Sequence, residues 1–474
     1  MGFLIYDLIF LAFFLIVFSI LLYKRRKNLK REGIIYLYRT KWGIKFINSV
    51  GKKYQKTLKA LSYVSVGLGY LLMIGVFYLI YTIVKIYFFS PDIVKAIKVP
   101  PIMPLIPYLP QVFKLEFLPP FYFTYWIIII AVIAISHEFA HGIFMRRYNI
   151  KIKSTGFAFF PSFFPVFPAA FVEQDEKSMI KSKKFEQMAV LSAGTFANVL
   201  TAILFLIILI GFFSLAFAPS GIVFDTYATS SIAIAGISSV NSIQLNNSSY
   251  GSVLGLMNET GLNEIVVEED IYLSTKEMIE SQEEGESVYV YDSAPAIKAN
   301  LSSIITEING IKINNLDELI EELSHYNIGD EITVKTITEE GDVEETLILE
   351  EHPDELGTAW LGIGFIAQQE TGIIGKIMNA LSFRESNVYY KAKFDGISNF
   401  IYNLLWWIVL ISLSVALINM LPVGIFDGGR FFYLTILALT KNEKTAKRCF
   451  LFSTKFFIFL VILLLIFWGI SFFR

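Results

Sequence analysis

The sequence contains little charge and almost no cysteine. Only 17% of its 474 residues are charged, 54% are hydrophobic, and the single cysteine is Cys449. A lone cysteine excludes an intrachain disulfide and any thiolate-rich zinc site. A soluble protein with so few charges could not cover its surface with polar groups. Several apolar runs are long enough to cross a hydrocarbon core about 30 Å thick. The composition therefore indicates a polytopic α-helical membrane protein and excludes collagen, coiled-coil, disulfide-scaffold and disordered classes.

The few charges are unevenly distributed along the chain. Residues 222–366 hold 28 acidic and four basic side chains, which leaves 14 acidic and 36 basic residues elsewhere. We therefore expect an acidic soluble insert within a basic membrane frame. The basic residues lie beside apolar runs rather than on one soluble face, so we expect no nucleic-acid partner.

Six apolar runs predict membrane spans. They lie at about 3–23, 61–89, 121–145, 188–218, 400–421 and 449–473. The basic loops between them predict both termini and the acidic insert outside, with the basic loops in the cytoplasm. Residues 426–440 are too short to cross and are expected at the cytoplasmic interface.

One further apolar stretch, residues 154–171, does not fit a spanning helix. Pro161, Pro165 and Pro168 interrupt it, and proline breaks a helix interior. At membrane depth such a segment must pack on protein, so we predict a re-entrant or β-like membrane segment.

The second half of the insert, about 290–366, predicts a small α+β domain. A strand-like run at 304–308 leads into the turn Asn309-Gly310, and a helix-like run follows at 316–323. Two further strand-like runs complete it, at 331–337 and 345–350. This order resembles a PDZ domain, whereas the Ser/Asn-rich first half, 222–292, shows no clear pattern.

These runs divide the chain into four parts. The first part, 1–119, holds two spans, a basic cytoplasmic loop and a Pro-rich outer loop. The second, 120–221, holds two spans around the β-like segment. The third is the insert, 222–366, and the fourth, 367–474, holds one span, the interfacial segment and the last span.

The third span contains the motif His137-Glu138-Phe139-Ala140-His141. Histidines four residues apart project from one face of a helix about 5–6 Å apart, close enough to share one metal ion. Glu138 is rotated by about 100° and suits a general base for zinc-bound water. The alternative is a chance match, but such residues are costly to bury in lipid without a partner. The motif predicts a site for one Zn²⁺.

Two histidines need a further protein ligand. The carboxylate candidates near the inner face are Glu173, Asp175 and Asp427, whereas His325 and His352 lie in the outer insert. Asp427 is distinguished by its neighbours, because helix-breaking residues can let an aspartate point into a packed interior. These neighbours are Pro422, Gly424, Gly428 and Gly429. An ordinary helix-capping aspartate is the alternative, but beside the zinc motif we predict that Asp427 is a ligand.

Together these motifs resemble the site-2 protease family of intramembrane zinc metalloproteases. The resemblance rests on the His-Glu-Phe-Ala-His motif and on an Asn-x-x-Pro-x-x-x-x-Asp-Gly-Gly motif that begins at Asn419. Residues 193–198 (Ala-Gly-Thr-Phe-Ala-Asn) are similar to the family's Ala-Gly-Pro-x-x-Asn motif, with Thr195 in place of proline. The resemblance covers roughly residues 120–474.

The resemblance implies roles for individual residues. His137, His141 and Asp427 are expected to bind zinc, and Glu138 to act as the general base. Asn198 is expected to stabilise the oxyanion or hold substrate backbone, with a helix–helix hydrogen bond as the alternative. Supporting or gating roles are expected for the remaining motif positions. These are Asn419, which is expected to orient the Asp427 loop, Gly194, Pro422 and Gly428.

The activity implied by the resemblance is hydrolysis of peptide bonds within or beside transmembrane helices of substrate proteins. The expected setting is the plasma membrane of a prokaryote, an archaeon, since two leading spans suit the archaeal and eukaryotic branch. The expected partners are transmembrane-helix substrates, the lipid bilayer and peptide C-termini at the PDZ-like domain. The active site is expected towards the cytoplasm. Residues 156–173 resemble the family's membrane-associated β segment, which receives an extended substrate.

Two other classes of function are open from the sequence. A membrane metal-binding protein or transporter would carry the zinc as cargo, but Asp7 is the only other clear acid within a span. A PDZ-type adaptor would keep the fold without catalysis, and the intact Glu138 argues against it.

Overall fold

A computed structural model describes residues 3–33, 35–90, 94, 100–115, 117–160, 167–338, 340–353, 355–366 and 382–471. The chain forms two compact units. One comprises Met1–Phe213 and Asn399–Arg474, and the other comprises Ser214–Ser398.

Helices occur in both units, and most of them lie in the first. In chain order the helices are α1 (Phe3–Lys24), α2 (Ile44–Lys53), α3 (Gln55–Phe89), α4 (Leu109–Val112), α5 (Phe123–Arg147), α6 (Glu176–Lys181), α7 (Lys184–Ala216), α8 (Tyr250–Leu256), α9 (Lys276–Glu280), α10 (Pro295–Lys298), α11 (Leu316–Leu323), α12 (Asp395–Asn419), α13 (Asp427–Thr440) and α14 (Glu443–Ser471). Among the described residues, α1, α3, α5, α7, α12 and α14 are long and apolar enough to cross a membrane. The six predicted spans are thereby confirmed as long apolar helices. Several begin before the predicted apolar run, because polar helix-forming residues continue the helix.

The strands are shorter and fall in both units. They are β1 (Leu29–Glu32), β2 (Ile35–Thr40), β3 (Ile152–Phe160), β4 (Phe167–Gln174), β5 (Phe217–Val223), β6 (Thr226–Tyr227), β7 (Thr229–Ala233), β8 (Ile237–Val240), β9 (Ile243–Gln244), β10 (Asn263–Val267), β11 (Asp270–Ser274), β12 (Ser287–Asp292), β13 (Ile304–Ile308), β14 (Ile311–Lys312), β15 (Glu331–Thr338), β16 (Gly341–Ile348), β17 (Glu350–Glu351), β18 (Ala359–Trp360), β19 (Ile363–Gly364) and β20 (Val388–Ala392).

A four-stranded antiparallel sheet in the order β1-β2-β3-β4 belongs to the first unit. Gly156 in β3 pairs with Arg39 of β2 on one side and with Phe171 of β4 on the other. The β-like alternative predicted for 154–171 agrees with strands β3 and β4, while residues 161–166 lie outside the described residues and the re-entrant membrane placement stays a prediction. The loop at 24–59, predicted only as basic and cytoplasmic, supplies β1, β2 and α2. This arrangement leaves β4 as an edge strand.

The helices of the first unit pack around a core that joins α3, α5, α7 and α13. Its buried members include Leu72, Met145, Ala193 and Phe431. The hydroxyl oxygens of Ser65 and Ser192 lie 2.8 Å apart and link α3 to α7. Such bonds between apolar helices fix their mutual register.

The N-terminus of α5 is held by Asp7 of α1, which is 1% exposed. Its Oδ2 accepts hydrogen bonds from the Phe123 amide at 2.8 Å and the Tyr108 hydroxyl at 2.7 Å. Its Oδ1 accepts from the Thr124 amide at 3.0 Å and from the Thr124 hydroxyl. The first amides of a helix lack intrahelical partners and carry partial positive charge. Asp7 therefore caps α5 from a different helix.

The second unit contains two larger sheets. One has the order β7-β12-β11-β10-β8-β9, and the other has the order β16-β15-β13-β5-β20 with β14 paired to β13. The predicted strands at 304–308 and 331–337 are β13 and β15 of the second sheet, the predicted helix at 316–323 is α11, and the strand predicted at 345–350 overlaps β16, which begins earlier, at Gly341. Residues 229–292, which show no clear sequence pattern, form the first sheet. The Asp292 amide donates to the Ala228 carbonyl at 3.0 Å, so the two ends of this segment lie next to each other.

Candidate metal centre

Two histidines of α5 form the base of the site. His137 and His141 are 9% and 7% exposed, and their Nε2 atoms lie 3.0 Å apart. The Nδ1 of His141 is 2.6 Å from the Val190 carbonyl oxygen in α7. A carbonyl only accepts hydrogen bonds, so Nδ1 carries the proton and the Nε2 lone pair is free for a metal.

Asp427 completes this group from the N-terminus of α13. Its Oδ2 lies 3.3 Å from Nε2 of His137 and 3.2 Å from Nε2 of His141. Within the described part of the chain, these three residues form a group whose ligand atoms all lie within 4.8 Å of one another. A carboxylate oxygen and imidazole lone pairs that face one point repel each other unless a cation lies between them. This donor set fits zinc, which binds imidazole and carboxylate and keeps a fourth position open in catalytic sites.

Gly194 of α7 leaves the space that such an ion requires. A Cβ atom at this position would lie 2.4 Å from Nε2 of His141 and 2.5 Å from Nε2 of His137. Zinc binds imidazole nitrogen at about 2.0–2.1 Å, so a side chain here would compete with the ion for the space beside both ligand nitrogens. The geometry gives a steric reason for glycine within the Ala-Gly-Thr motif.

The loop before Asp427 packs closely against two glycines in the first turn of α13. A Cβ atom on Gly428 would lie 2.3 Å from the carbonyl carbon of Met420, and one on Gly429 would lie 2.3 Å from the Val423 oxygen. The Pro422 carbonyl accepts a hydrogen bond of 2.9 Å from the Ser453 hydroxyl of α14. The close backbone approach directs the start of α13, and with it Asp427, towards the histidines.

Asn198 lies behind the metal-binding face. It is fully buried, and its Nδ2 is 3.1 Å from Nδ1 of His137, the ring nitrogen that points away from Asp427. Its Oδ1 has no hydrogen-bond partner among the described atoms. Ligation through Nε2 requires the proton on Nδ1, so the Asn198 amide orients a ligating His137 with its oxygen, rather than its nitrogen, facing that ring atom. The predicted contact of Asn198 with substrate stays a prediction.

A cavity of about 760 Å³ opens beside the ligand group. Glu138 lines it, and its Oε2 accepts a hydrogen bond of 2.8 Å from the Val172 amide of β4. Asn419 also lines the cavity, but no hydrogen bond to Asp427 is seen in the described structure. Its predicted role in orienting the Asp427 loop stays a prediction. The cavity walls come from α5, β4, α7, α12 and α13, so a molecule bound here would contact both Glu138 and the edge strand.

The other two carboxylate candidates are engaged elsewhere. Glu173 accepts from the Ser154 hydroxyl at 2.6 Å and from Arg39 Nε at 3.0 Å, and these contacts lower the pKa of Glu173. Asp175 accepts from the Ser178 amide at 2.9 Å and caps α6, which lowers the pKa of Asp175. The ligand group includes neither of them, and His325 and His352 lie in the second unit.

Comparison with known proteins identifies the family. The model of Peptidase family M50, the site-2 protease family, matches residues 125–464, and the chain belongs to this family. An uncharacterized protein of Methanocaldococcus jannaschii is 32% identical over 193 residues, which cover 39% of this chain. The match covers 46% of that protein, less than half of its length. Family membership and the six apolar helices together define an integral membrane protein of a metallopeptidase family.

Proposed function

We propose that this protein is an intramembrane zinc metalloprotease that cleaves peptide bonds within or beside the transmembrane helices of other membrane proteins. The observation that carries this proposal is the position of the ligand group. His137, His141 and Asp427 meet beside Glu138 on a helix that is long and apolar enough to cross a membrane. A hydrolytic site on such a helix acts on peptide bonds at membrane depth.

The roles of the residues follow from their positions. Zinc, when bound, lowers the pKa of a coordinated water to about 7 and polarises a carbonyl. Glu138 follows His137 directly and lines the same cavity. Its carboxylate accepts the proton of the attacking water and returns it to the leaving amine. Asn198, with its amide oxygen turned to accept from Nδ1–H of His137, keeps this ring in its ligating orientation.

The cavity also suits the proposed substrate. A helix has its carbonyl groups engaged in hydrogen bonds, so a substrate helix unwinds before a carbonyl reaches the metal. The exposed edge of β4 offers backbone groups that hold the unwound segment as an added strand. Apolar residues of α5 and α12, such as Ile133, Ile411 and Val415, form a wall suited to the side chains of a membrane span.

The orientation is proposed from charge. Arg146 and Arg147 end α5 on the side of His141, and by the positive-inside rule this charge supports a site towards the cytoplasm. The second unit then lies outside the cell, where we propose that its PDZ-like part binds peptide C-termini. A transport path is not favoured, because the carboxylate of Asp7 is engaged in capping α5.

The test is cleavage of a purified transmembrane-helix substrate in detergent, with zinc content measured in every sample. Glu138→Gln is expected to keep zinc and to lower kcat by about 10²–10⁴-fold. The same substitution at the exposed Glu321 of α11 serves as the control and is expected to leave both unchanged. If all three proteins hold zinc and none cuts a panel of such helices, the protease proposal is wrong.

A further inference from the structure

The backbone amide of Val172 has a partner outside its sheet. In β4, Val172 pairs with Thr155 and Ala170 pairs with Phe157 of β3. The Val172 N–H donates to Oε2 of Glu138 at 2.8 Å, so it points away from β3. The backbone groups of an antiparallel strand point to alternate sides. The N–H and C=O of Ala170, two residues away, therefore also point outward.

This outward edge faces the cavity that holds the ligand group. Ala170, Val172, Glu138 and Asp427 all line it. An extended peptide in the cavity can pair with β4 through the outward groups of Ala170 and Val172. One of the two outward amides, that of Val172, is already bonded to Glu138.

We propose that the Val172 amide is a substrate-binding donor that Glu138 occupies while the cavity is empty. A substrate strand that pairs with β4 takes this N–H through one of its own carbonyls. The carboxylate of Glu138 is then released to the attacking water. The inference rests on the proposed protease function and names how its substrate engages the general base.

The exchange is energetically plausible because one hydrogen bond replaces another. A half-buried carboxylate without a donor is costly, so the bond from Val172 satisfies Glu138 until substrate arrives. The net value of a single hydrogen bond corresponds to roughly a two- to tenfold change in affinity. The cost of breaking the bond between Val172 and Glu138 therefore lowers the observed affinity for substrate.

Two inactive variants test this exchange. The Gln side chain of Glu138→Gln keeps an oxygen that accepts from Val172, whereas Glu138→Ala has no acceptor. Neither can act as the base, so the affinity for an intact transmembrane-helix substrate can be measured in both. We expect Glu138→Ala to bind this substrate about five- to tenfold more tightly than Glu138→Gln. Equal affinities, or tighter binding by Glu138→Gln, would overturn the inference.

Backbone substitution identifies the donor. An ester in place of the Val172 amide, introduced as the corresponding hydroxy acid, removes the N–H and should abolish the difference between the two variants. An ester at Ala170 is the matched control. It should weaken substrate binding by both variants to the same extent and preserve their difference. A difference that persists with the Val172 ester would contradict the proposal.

The active protein gives a second measurement that does not depend on Glu138→Ala folding. In the wild-type background the Ala170 ester removes a bond to substrate, whereas the Val172 ester removes a bond that is only exchanged. The Val172 ester should therefore lower kcat/KM by less than the Ala170 ester, and equal losses would count against the exchange. If the wild-type protein cleaves no transmembrane helix, the proposed function itself fails. If it cleaves but Glu138→Ala and Glu138→Gln bind the substrate with equal affinity, only this inference fails.

Discussion

Two aspartates, the buried Asp7 and the half-buried Asp427, reach helix α5 from other helices and differ in what they face. Asp7 lies at the N-terminus of α5 and accepts hydrogen bonds from two backbone amides and two hydroxyl groups. Asp427 lies beside the His137–His141 pair, and its Oδ2 is 3.2–3.3 Å from two imidazole nitrogens. The first carboxylate is saturated by N–H and O–H donors, whereas the second converges with other lone pairs.

Asp7 thus caps a helix, whereas Asp427 lies in a group that could hold a metal ion. An ionisable residue within a membrane span is by default a candidate for function. Asp7 meets that criterion by sequence, yet its hydrogen bonds complete the N-terminus of a helix. Asp427 lies outside the spanning helices and still belongs to the ligand group. The groups that face a carboxylate are thus a better guide to its role than whether it lies inside a predicted membrane span.

The largest expected difference between the two aspartates concerns zinc. Asp427→Ala removes a ligand, so we expect zinc affinity to fall by more than the roughly 10–100-fold typical of an outer hydrogen-bond partner. Activity should be lost with it. Asp7→Ala should keep one zinc per folded molecule. Zinc analysis of the purified, folded fraction of each variant checks this, and zinc retention by Asp427→Ala would remove that residue from the ligand group.

The space for the ion can be tested without changing a ligand. Gly194→Ala places a methyl group 2.4–2.5 Å from Nε2 of both histidines, in the space beside the ligand atoms. We expect loss of zinc and of activity. Gly211→Ala in the same helix has nothing within 4 Å of the added atom and is the control. Normal zinc content in Gly194→Ala would show that the ion does not occupy this space.

Local patterns explain how much of the site the sequence predicts. The period of the α-helix brings His137 and His141 together, and the break around Pro422 and Gly428 marks Asp427. Contacts between distant segments leave no such pattern. The bond from Val172 to Glu138 and the cap from Asp7 depend on tertiary packing.

The fold shows the same division between local and distant information. Long apolar runs predict the six helices, because a membrane span needs about 20 apolar residues. The pairing of β2 with β3 joins residues more than a hundred positions apart and has no local signal. The strands at 229–292 are short and contain many Ser residues, so their alternation is weak. Ile35 to Tyr38 in β2 carry a β-favouring composition that could have been read as a strand.

A smaller effect, on stability rather than metal binding, is expected at Asp7. Asp7→Ala leaves the Tyr108 hydroxyl and two helix amides without their acceptor, which costs about 2–4 kcal/mol. Asp7→Asn keeps one carbonyl acceptor and should cost less. The measurement is the free energy of unfolding in detergent. If Asp7→Ala matches the wild-type protein in stability, the cap does not contribute to folding.

The smallest effect belongs to a third carboxylate, Glu173, which is partly exposed and paired with Arg39. The Ser154 hydroxyl and the Arg39 guanidinium hold the pKa of Glu173 below its ordinary value of 4.5. A lowered pKa in the folded state contributes stability above pH 4.5, and this contribution is lost as the pH falls through the folded-state pKa. Glu173→Gln should therefore cost under about 1 kcal/mol near neutral pH and progressively less in acid. The free energies of unfolding of the wild-type protein and Glu173→Gln, measured across that pH range, test this prediction. A difference that grows in acid would show that the ionised carboxylate is not the stabilising form.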